Sequence, residues 1–410
     1  MSKPRLLLIG DAAVPTGFAR ANRNLIEHLR ADWAIAILGV NAKGDPHDWP
    51  CPIFPAARGG DVFGYGRFGE LARKGRPDVV LIHSDPWIVA NYLRLAKKID
   101  ESAEGWGKDY SRPPIVAWMP IDSPGTSRAT AELLNDLTLA VFYSEFALAD
   151  ARRAGFTGPG MSIGLGVDLG IYQAEDQETS RRSVFERDDG KTTMPLGCFL
   201  VGNVNRNQAR KRFDLSIAYF AKWVKEYGRR DAWLYFHAAV AEDVGWNLHH
   251  LADYYGVSDR VILSDLDFPR AGAPENELRY VYSSFDVQIS TTTGEGFGLT
   301  TAEGMACGVP QIVPDYSALG EWAKDAVHMV PVTATAAHIG KQSNCIGGIV
   351  DEQGFIEALD ELYLSETLRA RIGRAGLVRV SEKQFRWETI GERFAAALQG
   401  VTTEEHTAAA

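Results

Sequence analysis

Short apolar runs alternate along the chain with stretches in which apolar residues recur every three or four positions. The runs are typical of strands buried on both faces of a parallel sheet, and the periodic stretches predict amphipathic helices that cover the sheet. For the first part of the chain the pattern predicts strands Arg5–Ile9, Ala34–Val40, Asp78–His83, Ile115–Met119 and Leu139–Ser144, and helices Phe18–Leu29, Gly66–Arg73, Val89–Lys98 and Ser127–Leu134.

The alternation stops at residues 172–195, where the sequence is charged and lacks periodicity, and it then restarts. We interpret this segment as a link between two domains. For the second part the pattern predicts strands Gly197–Asn203, Ala232–His237, Val261–Ser264, Val287–Ser290 and Gln311–Val313, and helices Asp214–Tyr227, Asn247–Tyr255, Glu275–Ser284, Leu299–Cys307, Phe355–Leu364, Glu366–Val378 and Trp387–Ala397.

This order of elements predicts an α/β protein with two doubly wound, Rossmann-like domains facing across a cleft. A length of 410 residues suits two domains of ordinary size. We expect domains at 1–170 and 196–385, a linker at 171–195, a C-terminal helix at 386–400 and a flexible tail at 401–410. Ligands of such sheets bind at the carboxyl ends of the strands, so residues that follow strands are the first candidates for a site.

The composition narrows the classes of partner. Lys and Arg number 43 against 53 Asp and Glu, and the net charge of −10 argues against a surface that holds nucleic acid or an anionic membrane. No stretch approaches the ~20 apolar residues of a membrane span, and Met1–Gly10 has the pattern of a first strand and not of a signal peptide. The 4 cysteines lie far apart, without a zinc-type pattern. We therefore expect a cytoplasmic protein with reduced thiols and no integral membrane segment.

The stretch 291–322, TTTGEGFGLTTAEGMACGVPQIVPDYSALGEW, carries the most chemistry. A predicted strand ends at Ser290, and a turn with Gly294, Gly296 and Gly298 leads into a helix that begins near Gly298. The exposed N–H groups and the dipole at such a helix start bind phosphate, and glycine lets the backbone approach a ligand closely. The turn is therefore a candidate phosphate site.

Two carboxylates belong to the same stretch. Glu303 shares a helical stripe with apolar Leu299 and Ala306, and a carboxylate buried there needs hydrogen-bond partners, for which a ribose diol is suitable. The alternative is an ordinary glutamate favoured by the dipole of the helix. Glu295 precedes the helix, where by itself it is equally a cap or loop residue. The residues alone leave both alternatives open.

A basic loop follows the first strand of the second domain. Arg206, Arg210, Lys211 and Arg212 cluster in an otherwise acidic protein. Such a cluster can form a local basic pocket for a small anion. The alternative, a solvated basic turn, applies more to Arg210 and Arg212 individually than to the cluster.

The order of these features resembles a known family. The pattern E-G-F-G-L-x-x-x-E-x-M-A-C-G-x-P, which contains Glu295 and Glu303, is similar to the signature of retaining GT-B glycosyltransferases of the large family-4 group. Three further segments resemble, in order, the family's first-domain helix, its hinge and its donor-phosphate loop: VFYSEFALADARRAG at 141–155, GVD at 166–168 and GNVNRNQARKRFD at 202–214. The resemblance covers roughly residues 5–322, most of the chain.

The resemblance implies transfer of a sugar from a nucleoside diphosphate donor to a hydroxyl acceptor, with retention of configuration and without a metal or other cofactor. It implies that the donor lies mainly on the second domain, that the acceptor enters from the first, and that the last helix crosses back to the first domain. Glu303 would hold the ribose hydroxyls and Glu295 would contact the transferred sugar. The other implied donor-binding residues are Gly17, Gly202, Phe297, Gly298 and Leu299.

The basic loop departs from the family pattern at one position. Asn203 follows the glycine directly, where the family has an arginine, and we assign the role of that arginine to Arg206. Lys211 matches the family by its position before Phe213 and Asp214. The interpretation therefore makes Lys211 and Arg206 the catalytic cations, with Glu295 and Asp122 as the catalytic carboxylates.

The strand ends of the first domain supply the acceptor-side candidates. Asp122 could touch the reacting sugar or cap a helix. His83 and Asp85 could meet the acceptor, although Asp85 before a proline is equally a turn residue. Trp118 could stack on a sugar, although core packing is the commoner role of a tryptophan. Thr16 is a candidate N-cap.

Two patterns that suggest a metal do not fit the remaining features. Asp265 and Asp267 have the D-x-D spacing of metal-dependent glycosyltransferases, whose single-domain fold the strand order does not match. His249 and His250 lie on a predicted helix without a partner at i+4. We therefore expect no metal ligands.

Other functions compete with glycosyl transfer. They are a catalytically silent nucleotide-sugar-binding scaffold, a phosphorylase or nucleotide-sugar epimerase of the same fold, and an enzyme that glycosylates a modified base in DNA. Retained Glu295, Glu303 and Lys211 argue against the scaffold, no lysine is a clear anchor for the cofactor of a phosphorylase, and the net charge argues against DNA. The nucleobase, the sugar, the acceptor and the oligomeric state stay open.

Overall fold

The computed structural model describes residues 3–57, 59–186, 190, 192–238, 245–264, 273–337 and 346–408. The described residues form two compact units, the first from 3–166 and 384–408 and the second from 167–337 and 346–383. Each unit is built on a parallel sheet with helices between its strands. The predicted α/β class with two Rossmann-like domains is confirmed.

The first unit contains a seven-stranded sheet in the order β3-β2-β1-β4-β5-β6-β7, with every neighbouring pair parallel. Its elements up to residue 162 are β1 (Arg5–Asp11), α1 (Gly17–Leu29), β2 (Ala34–Val40), β3 (Ile53–Pro55), α2 (Tyr65–Gly75), β4 (Val79–His83), α3 (Pro86–Asp100), β5 (Ile115–Met119), α4 (Arg128–Leu134), β6 (Leu139–Phe142), α5 (Glu145–Ala154) and β7 (Gly160–Ser162).

Burial on both faces explains the apolar strands of this sheet. Every residue of β4 and β5 is buried, so a strand with alternating polar residues could not occupy either position. Helix α1 begins where Thr16 caps it, because the Thr16 hydroxyl accepts a hydrogen bond from the Ala19 N–H at 3.1 Å. The predicted N-cap is confirmed.

The second unit contains a six-stranded parallel sheet in the order β10-β9-β8-β11-β12-β13 and a two-stranded antiparallel sheet. Its elements are α6 (Gln177–Phe185), β8 (Phe199–Val204), α7 (Phe213–Glu226), β9 (Ala232–His237), α8 (Leu248–Tyr254), β10 (Val261–Leu263), α9 (Glu275–Ser283), β11 (Val287–Ile289), α10 (Leu299–Ala306), β12 (Gln311–Pro314), α11 (Ser317–Trp322), β13 (His328–Val330), β14 (Val332–Ala337), β15 (Ile346–Val350), α12 (Glu352–Leu364) and α13 (Glu366–Val380).

The last helix, α14 (Trp387–Ala408), belongs to the first unit. The Phe394 ring packs edge-on against Trp118 in the core of that unit, with the ring centroids 4.8 Å apart. The helix continues to Ala408, through residues for which the sequence predicted a tail without regular structure.

The sequence pattern missed elements that are too short to show a period. Strands β3, β7 and β13 have 3 residues each. Helix α6 lies inside the predicted linker and was missed because most of its residues are polar. It packs within the second unit, where the buried Arg181 guanidinium lies 2.6 Å from the Asp286 carboxylate. Part of segment 171–195 is therefore helical structure of the second unit.

Gly202 lies inside β8 against an aromatic ring, and this contact predicts a stability effect. A Cβ added at Gly202 would lie 2.3 Å from carbons of the Phe285 ring. We expect Gly202→Ala to lower the free energy of unfolding by about 1–3 kcal/mol, because a core this tight accepts extra volume only by shifting its neighbours. Urea unfolding measures the change. Gly197→Ala, where a Cβ would meet nothing within 4 Å, is the matched control and should leave stability nearly unchanged.

Two further properties of the described residues bear on the sequence expectations. Among the helices that the structure describes, none has both the length and the hydrophobicity of a membrane span. Cys51, Cys198 and Cys307 are buried free thiols, whereas Cys345 lies outside the described residues.

Candidate functional site

The strand order of the second unit brings two loops together. Strands β8 and β11 are neighbours, and the chain leaves them in opposite directions along the sheet, to β9 and to β12. Ligands of open α/β sheets bind at the carboxyl ends of the strands at such a switch point. The loop after β8 carries the basic cluster, and the loop after β11 carries the glycine-rich turn with Glu295.

Glu295 lies at the centre of this site, between two cations. One carboxylate oxygen contacts the Lys211 ammonium, and the other accepts a hydrogen bond from Arg210 Nη1 at 3.1 Å. Glu295 and Lys211 are 5% and 8% exposed, so the ion pair is shielded from water. Burial by itself raises the pKa of Glu295, but the charges of Lys211 and Arg210 outweigh it and lower this pKa to about 2. Glu295 is therefore a permanent anion at neutral pH.

Buried hydroxyls fix the basic loop against the turn after β11. The Thr291 hydroxyl donates to the Arg212 carbonyl at 2.7 Å and contacts the Ser216 hydroxyl at 2.7 Å. The Thr293 N–H and hydroxyl both bond the Arg210 carbonyl, at 2.8 and 3.1 Å. These bonds tie the backbone that carries Arg210 and Lys211 to the turn after β11, as electrostatic preorganisation requires.

Asn203 belongs to the same scaffold. Its side chain is fully buried and donates to the Ser216 hydroxyl at 3.1 Å. Asn205 in turn donates to the Asn203 side-chain oxygen at 2.9 Å. The position at which the family pattern has an arginine is thus used here to support the loop.

Ser317 holds the backbone of Glu295. The Ser317 hydroxyl accepts from the Glu295 N–H at 2.9 Å and lies 3.2 Å from the Glu295 carbonyl, to which it can donate. Ser317 has a φ of 50°, a left-handed conformation that costs energy for a residue other than glycine. Local sequence does not single out this serine, because its role depends on a contact with a residue 22 positions away.

The start of helix α10 faces the same turn. Gly298 is the N-cap and has a φ of 96°, and a Cβ there would lie 2.8 Å from Leu319. Gly298 has no side chain that could cap this end, and its left-handed conformation forms the helix start before Leu299. The Phe297 ring stacks on Trp322 with centroids 5.0 Å apart, and the Phe297 carbonyl accepts from the indole N–H at 2.8 Å.

Glu303 lies one turn into α10 and is buried, with 3% exposure. One of its carboxylate oxygens accepts a hydrogen bond from the Tyr282 hydroxyl at 2.6 Å. Glu303 is therefore a buried, hydrogen-bonded carboxylate and not a solvent-exposed side chain. A buried carboxylate with a fixed orientation is suited to hold a diol.

The other members of the basic cluster have separate positions. Arg206 is solvent-exposed in the loop after β8. Arg212 forms an ion pair with Asp214 at 2.8 Å, so its charge is balanced locally. Gly202 packs on Phe285 within the strand, so it has a packing role irrespective of any ligand. Arg210, for which the alternative of a solvated residue applied more than for the cluster, is half-buried and contacts Glu295.

The first unit has a switch point of its own, between β1 and β4. Asp11 ends β1, where its carboxylate accepts from the Thr16 hydroxyl at 2.7 Å and from the Asn41 amide at 3.0 Å. Asp85 and Asp122 follow β4 and β5 and are half-buried. Asp122 does not cap a helix, because Ser127 caps α4, so the capping alternative was wrong.

A buried hydrogen-bond chain supports this edge of the sheet. His83 is 1% exposed, and its Nδ1 lies 2.5 Å from the Asn22 side-chain oxygen, while its Nε2 contacts the Tyr143 hydroxyl. The Asn22 amide donates to the Asp11 carbonyl, which turns the Asn22 oxygen towards His83. We therefore assign a neutral imidazole that donates from Nδ1 and accepts from Tyr143 at Nε2.

Tyr143 connects His83 to the carboxylates. Burial first, and then the charges of Asp85, Asp122 and Asp11, raise the pKa of Tyr143 well above its ordinary value of 10. The Tyr143 phenol is consequently a neutral hydrogen-bonding group. His83 itself, predicted to meet an acceptor, is enclosed between Asn22 and Tyr143 and can act only through them.

Trp118 is a core residue. It is fully buried, its indole N–H donates to the Ile163 carbonyl at 2.9 Å, and its ring stacks on His83 with centroids 4.2 Å apart. The prediction that Trp118 stacks on a sugar was wrong, because no part of the ring reaches the surface. Asp85 holds the N-cap position of α3 without a side-chain cap bond, and Gly17 is the first residue of α1.

The burial of His83 predicts a dependence of stability on pH. Burial lowers the pKa of His83 from 6.5 to about 3, so between these values the unfolded chain binds a proton that the folded chain does not. The free energy of unfolding should therefore fall by about 2 kcal/mol for this group as the pH drops from ~6.5 to ~5. In His83→Gln this part of the acid slope should vanish, whereas the exposed His249→Gln should keep it. An unchanged slope in His83→Gln, measured by urea unfolding, would contradict the assignment.

The D-x-D pair and the two adjacent histidines were the residues that suggested a metal site. Asp265 and Asp267 lie outside the described residues. His249 and His250 are exposed on α8, which begins after the N-cap Asn247 as predicted. Within the part of the chain that the structure describes, no group of three or more His, Cys, Asp or Glu is placed to hold a metal.

Comparison with known proteins agrees with this architecture. No curated protein matches the chain in sequence. The chain is similar in structure to sucrose-phosphate synthase from Thermosynechococcus elongatus, with a TM-score of 0.75, 16% identity and coverage of 98% of this chain and 100% of the other. A structure of Anabaena Alr3699/HepE in complex with UDP-glucose matches with a TM-score of 0.70 and 17% identity over 97% and 99% of the two chains. Trehalose 6-phosphate synthase from Burkholderia multivorans matches with a TM-score of 0.66 and 12% identity over 99% and 100%.

The sequence of the second unit matches a family model directly. The match covers residues 198–344, which include the basic loop, Glu295 and Glu303, and the family is described as "Glycosyl transferases group 1". The chain thus has the fold of the GT-B glycosyltransferases, and its residues 198–344 are identified with the glycosyl transferases group 1.

Proposed function

We propose that this protein transfers a sugar from a nucleoside diphosphate donor to a hydroxyl acceptor. The observation that carries the proposal is the cluster of buried Glu295 and Lys211 with half-buried Arg210 at the switch point of the second sheet. Two cations against one carboxylate leave a net positive charge, in a protein whose total charge is −10. Such a cluster beside a helix start whose N-cap is a glycine is suited to a small, doubly charged phosphate group.

The proposed roles follow from what each group can do. Lys211 and the exposed Arg206 attract the diphosphate, and the N–H groups of Phe297, Gly298 and Leu299 face it. Glu303 holds the ribose hydroxyls. Glu295 orients the transferred sugar and, with its pKa of about 2, cannot act as a general acid at neutral pH.

The proposed chemistry proceeds with retention and without a metal. The bond from the anomeric carbon to the phosphate oxygen breaks, the acceptor oxygen bonds to the same face of that carbon, and the acceptor proton passes to the departing phosphate oxygen. Charge develops on the diphosphate, where Lys211 and Arg206 stabilise the transition state more than the ground state. Fixed cations supply here the charge that a divalent metal supplies elsewhere.

The first unit is the proposed acceptor side. Asp122, Asp85 and the Tyr143 hydroxyl lie at the carboxyl edge of its sheet, where hydroxyl groups of an acceptor would find hydrogen-bond acceptors. His83 fixes the proton of the Tyr143 hydroxyl and so orients its oxygen. The acceptor belongs to the class of hydroxyl-bearing molecules, and hexosyl groups are the first sugars to consider for transfer.

A panel of nucleotide sugars tests the proposal. UDP-glucose is tried first, because the related HepE structure is a complex with it, and GDP-, ADP- and TDP-sugars follow. A true donor should raise the melting temperature, since it binds only the folded chain, and should release nucleoside diphosphate when acceptors are added. The absence of any shift across the panel would refute the proposal. Binding without turnover would support the silent scaffold instead, and retardation of duplex DNA at moderate salt would support the DNA-modifying alternative.

A further inference from the structure

Tyr282 makes a direct hydrogen bond to Glu303 but is not among the groups proposed to contact the donor. It is the penultimate residue of α9 and is fully buried. Its hydroxyl donates to one carboxylate oxygen of Glu303 at 2.6 Å, a distance typical of a charge-assisted bond. Helices α9 and α10 thus meet through a polar contact inside an apolar layer.

This bond addresses a geometric need of the carboxylate. The last torsion of a glutamate side chain, between an sp³ and an sp² carbon, has broad minima and little intrinsic preference. A carboxylate that must present its oxygens to two neighbouring hydroxyls at once therefore needs an external group to fix its plane. Tyr282 supplies such a group, because a bond to one oxygen defines the orientation of both.

The position of Tyr282 is itself well determined. Its ring packs edge-on against Tyr172, with centroids 6.1 Å apart. The segment that follows Tyr172 is fastened to α9 at two places, by the Glu175 N–H bonded to the Ser283 hydroxyl at 3.1 Å and by Glu175 paired with Arg279 at 3.2 Å. The phenol therefore has little freedom to follow a displaced carboxylate.

The neighbouring thiol does not disturb this arrangement. Cys307 lies one helical turn after Glu303, and burial first, with the charge of Glu303 second, raises the pKa of Cys307 to about 12. The thiol is neutral at any pH at which the protein is used, so it adds no second negative charge next to the carboxylate.

We infer that Tyr282 is a positioning residue for the nucleoside of the donor, and that it acts by fixing the Glu303 carboxylate in the plane that receives both ribose hydroxyls. The inference rests on the proposed function, since it requires Glu303 to hold a ribose. The selectivity of the site for ribose then depends on the hydrogen bond between Tyr282 of α9 and Glu303 of α10, as well as on Glu303 itself.

Binding of paired nucleotides tests the inference. The ribonucleoside diphosphate that binds the wild type most tightly among UDP, GDP and ADP is compared by calorimetry with its 2′,3′-dideoxy counterpart. Tyr282→Phe should weaken the ribonucleotide about 5- to 10-fold and leave the dideoxynucleotide unchanged. In a Glu303→Ala background, Tyr282→Phe should have no further effect on either nucleotide, because the side chain that it positions is gone.

Two variants control for folding. Tyr235→Phe removes another buried hydroxyl of the second unit, one that lies 3.0 Å from His237 Nδ1, and should leave both affinities unchanged. The double variant Tyr282→Phe with Glu303→Ala contains neither the buried carboxylate nor its donor. The comparison of the double variant with Glu303→Ala therefore stays measurable if Tyr282→Phe alone is unstable.

The outcomes separate the inference from the proposed function. Equal weakening of both nucleotides, or no weakening, overturns the role of Tyr282 while the proposed function stands. If the wild type binds the ribonucleotide no more tightly than its dideoxy counterpart, Glu303 does not hold a ribose. That result also overturns the role of Tyr282. A wild type that binds no nucleoside diphosphate refutes the proposed function itself.

Discussion

Replacing Lys211 with methionine is expected to lower the turnover of a nucleotide-sugar donor by about 100- to 1000-fold, the usual effect of removing one preorganised electrostatic group. Methionine keeps most of the apolar stem and removes only the charge. Because the charge on a diphosphate grows as the glycosidic bond breaks, the loss should appear in kcat more than in KM. Steady-state kinetics of nucleoside diphosphate release measure both constants.

The same variant has a structural consequence that must be separated from the kinetic one. Without Lys211, the buried Glu295 keeps only Arg210 as a charged partner among the contacts described above, and breaking a buried pair costs about 3–5 kcal/mol. The double variant Lys211→Met with Glu295→Gln removes both charges and should recover much of the stability while remaining inactive. Lys222→Met, which removes an equal charge from α7, should retain activity. Wild-type turnover in a folded Lys211→Met variant would contradict the proposed role of Lys211.

The contact between Lys211 and Glu295 also shows what the sequence can and cannot predict. Each residue was a candidate because it follows a buried strand and lies in a distinctive local pattern. Their contact joins positions 84 residues apart and depends on β8 and β11 being neighbours, which hydrophobic periodicity does not specify. The order of the motifs indicated that Lys211 and Glu295 lie close together only because it resembles the order in a known family.

Side-chain direction was the main source of error in the first unit. Strand β5 is buried on both faces, so all of its positions are apolar. The hydrophobic pattern therefore does not indicate which residue points towards the binding edge. Trp118 was a reasonable candidate by position, but its ring packs between His83 and Phe394. The position of a residue at a strand end predicted which edge of the sheet it lies on. It did not predict whether its side chain is exposed there.

Residues that act through another side chain leave little trace in a single sequence. Tyr282 and Ser317 were not selected, because a buried tyrosine in a helix and a serine in a turn are both ordinary. Their roles became visible only as contacts to Glu303 and Glu295. A positive φ at Ser317 is likewise a property of the folded backbone that its local sequence does not demand.

The second large effect is expected at Glu303. Glu303→Gln should weaken the binding of a nucleoside diphosphate about 10- to 100-fold, because hydrogen bonds to a charged group contribute about 1.5–3 kcal/mol and the amide replaces one acceptor oxygen by a donor. Glutamine has nearly the same shape, and its oxygen can still accept from Tyr282, so folding should be retained. Glu226→Gln, an exposed position at the end of α7, removes an equal charge and should bind as the wild type does.

Kinetics then distinguish Glu303 from Lys211. The ribose keeps the same charge and geometry while the glycosidic bond breaks, so Glu303 should stabilise the ground state and the transition state equally. Glu303→Gln should therefore raise the KM for the donor and change kcat little, the reverse of the pattern expected for Lys211→Met. A Glu303→Gln variant with a normal KM and a depressed kcat would place Glu303 at the reacting sugar and not at the nucleoside. The two kinetic patterns together test whether the second unit binds the donor at one end of this site and activates it at the other.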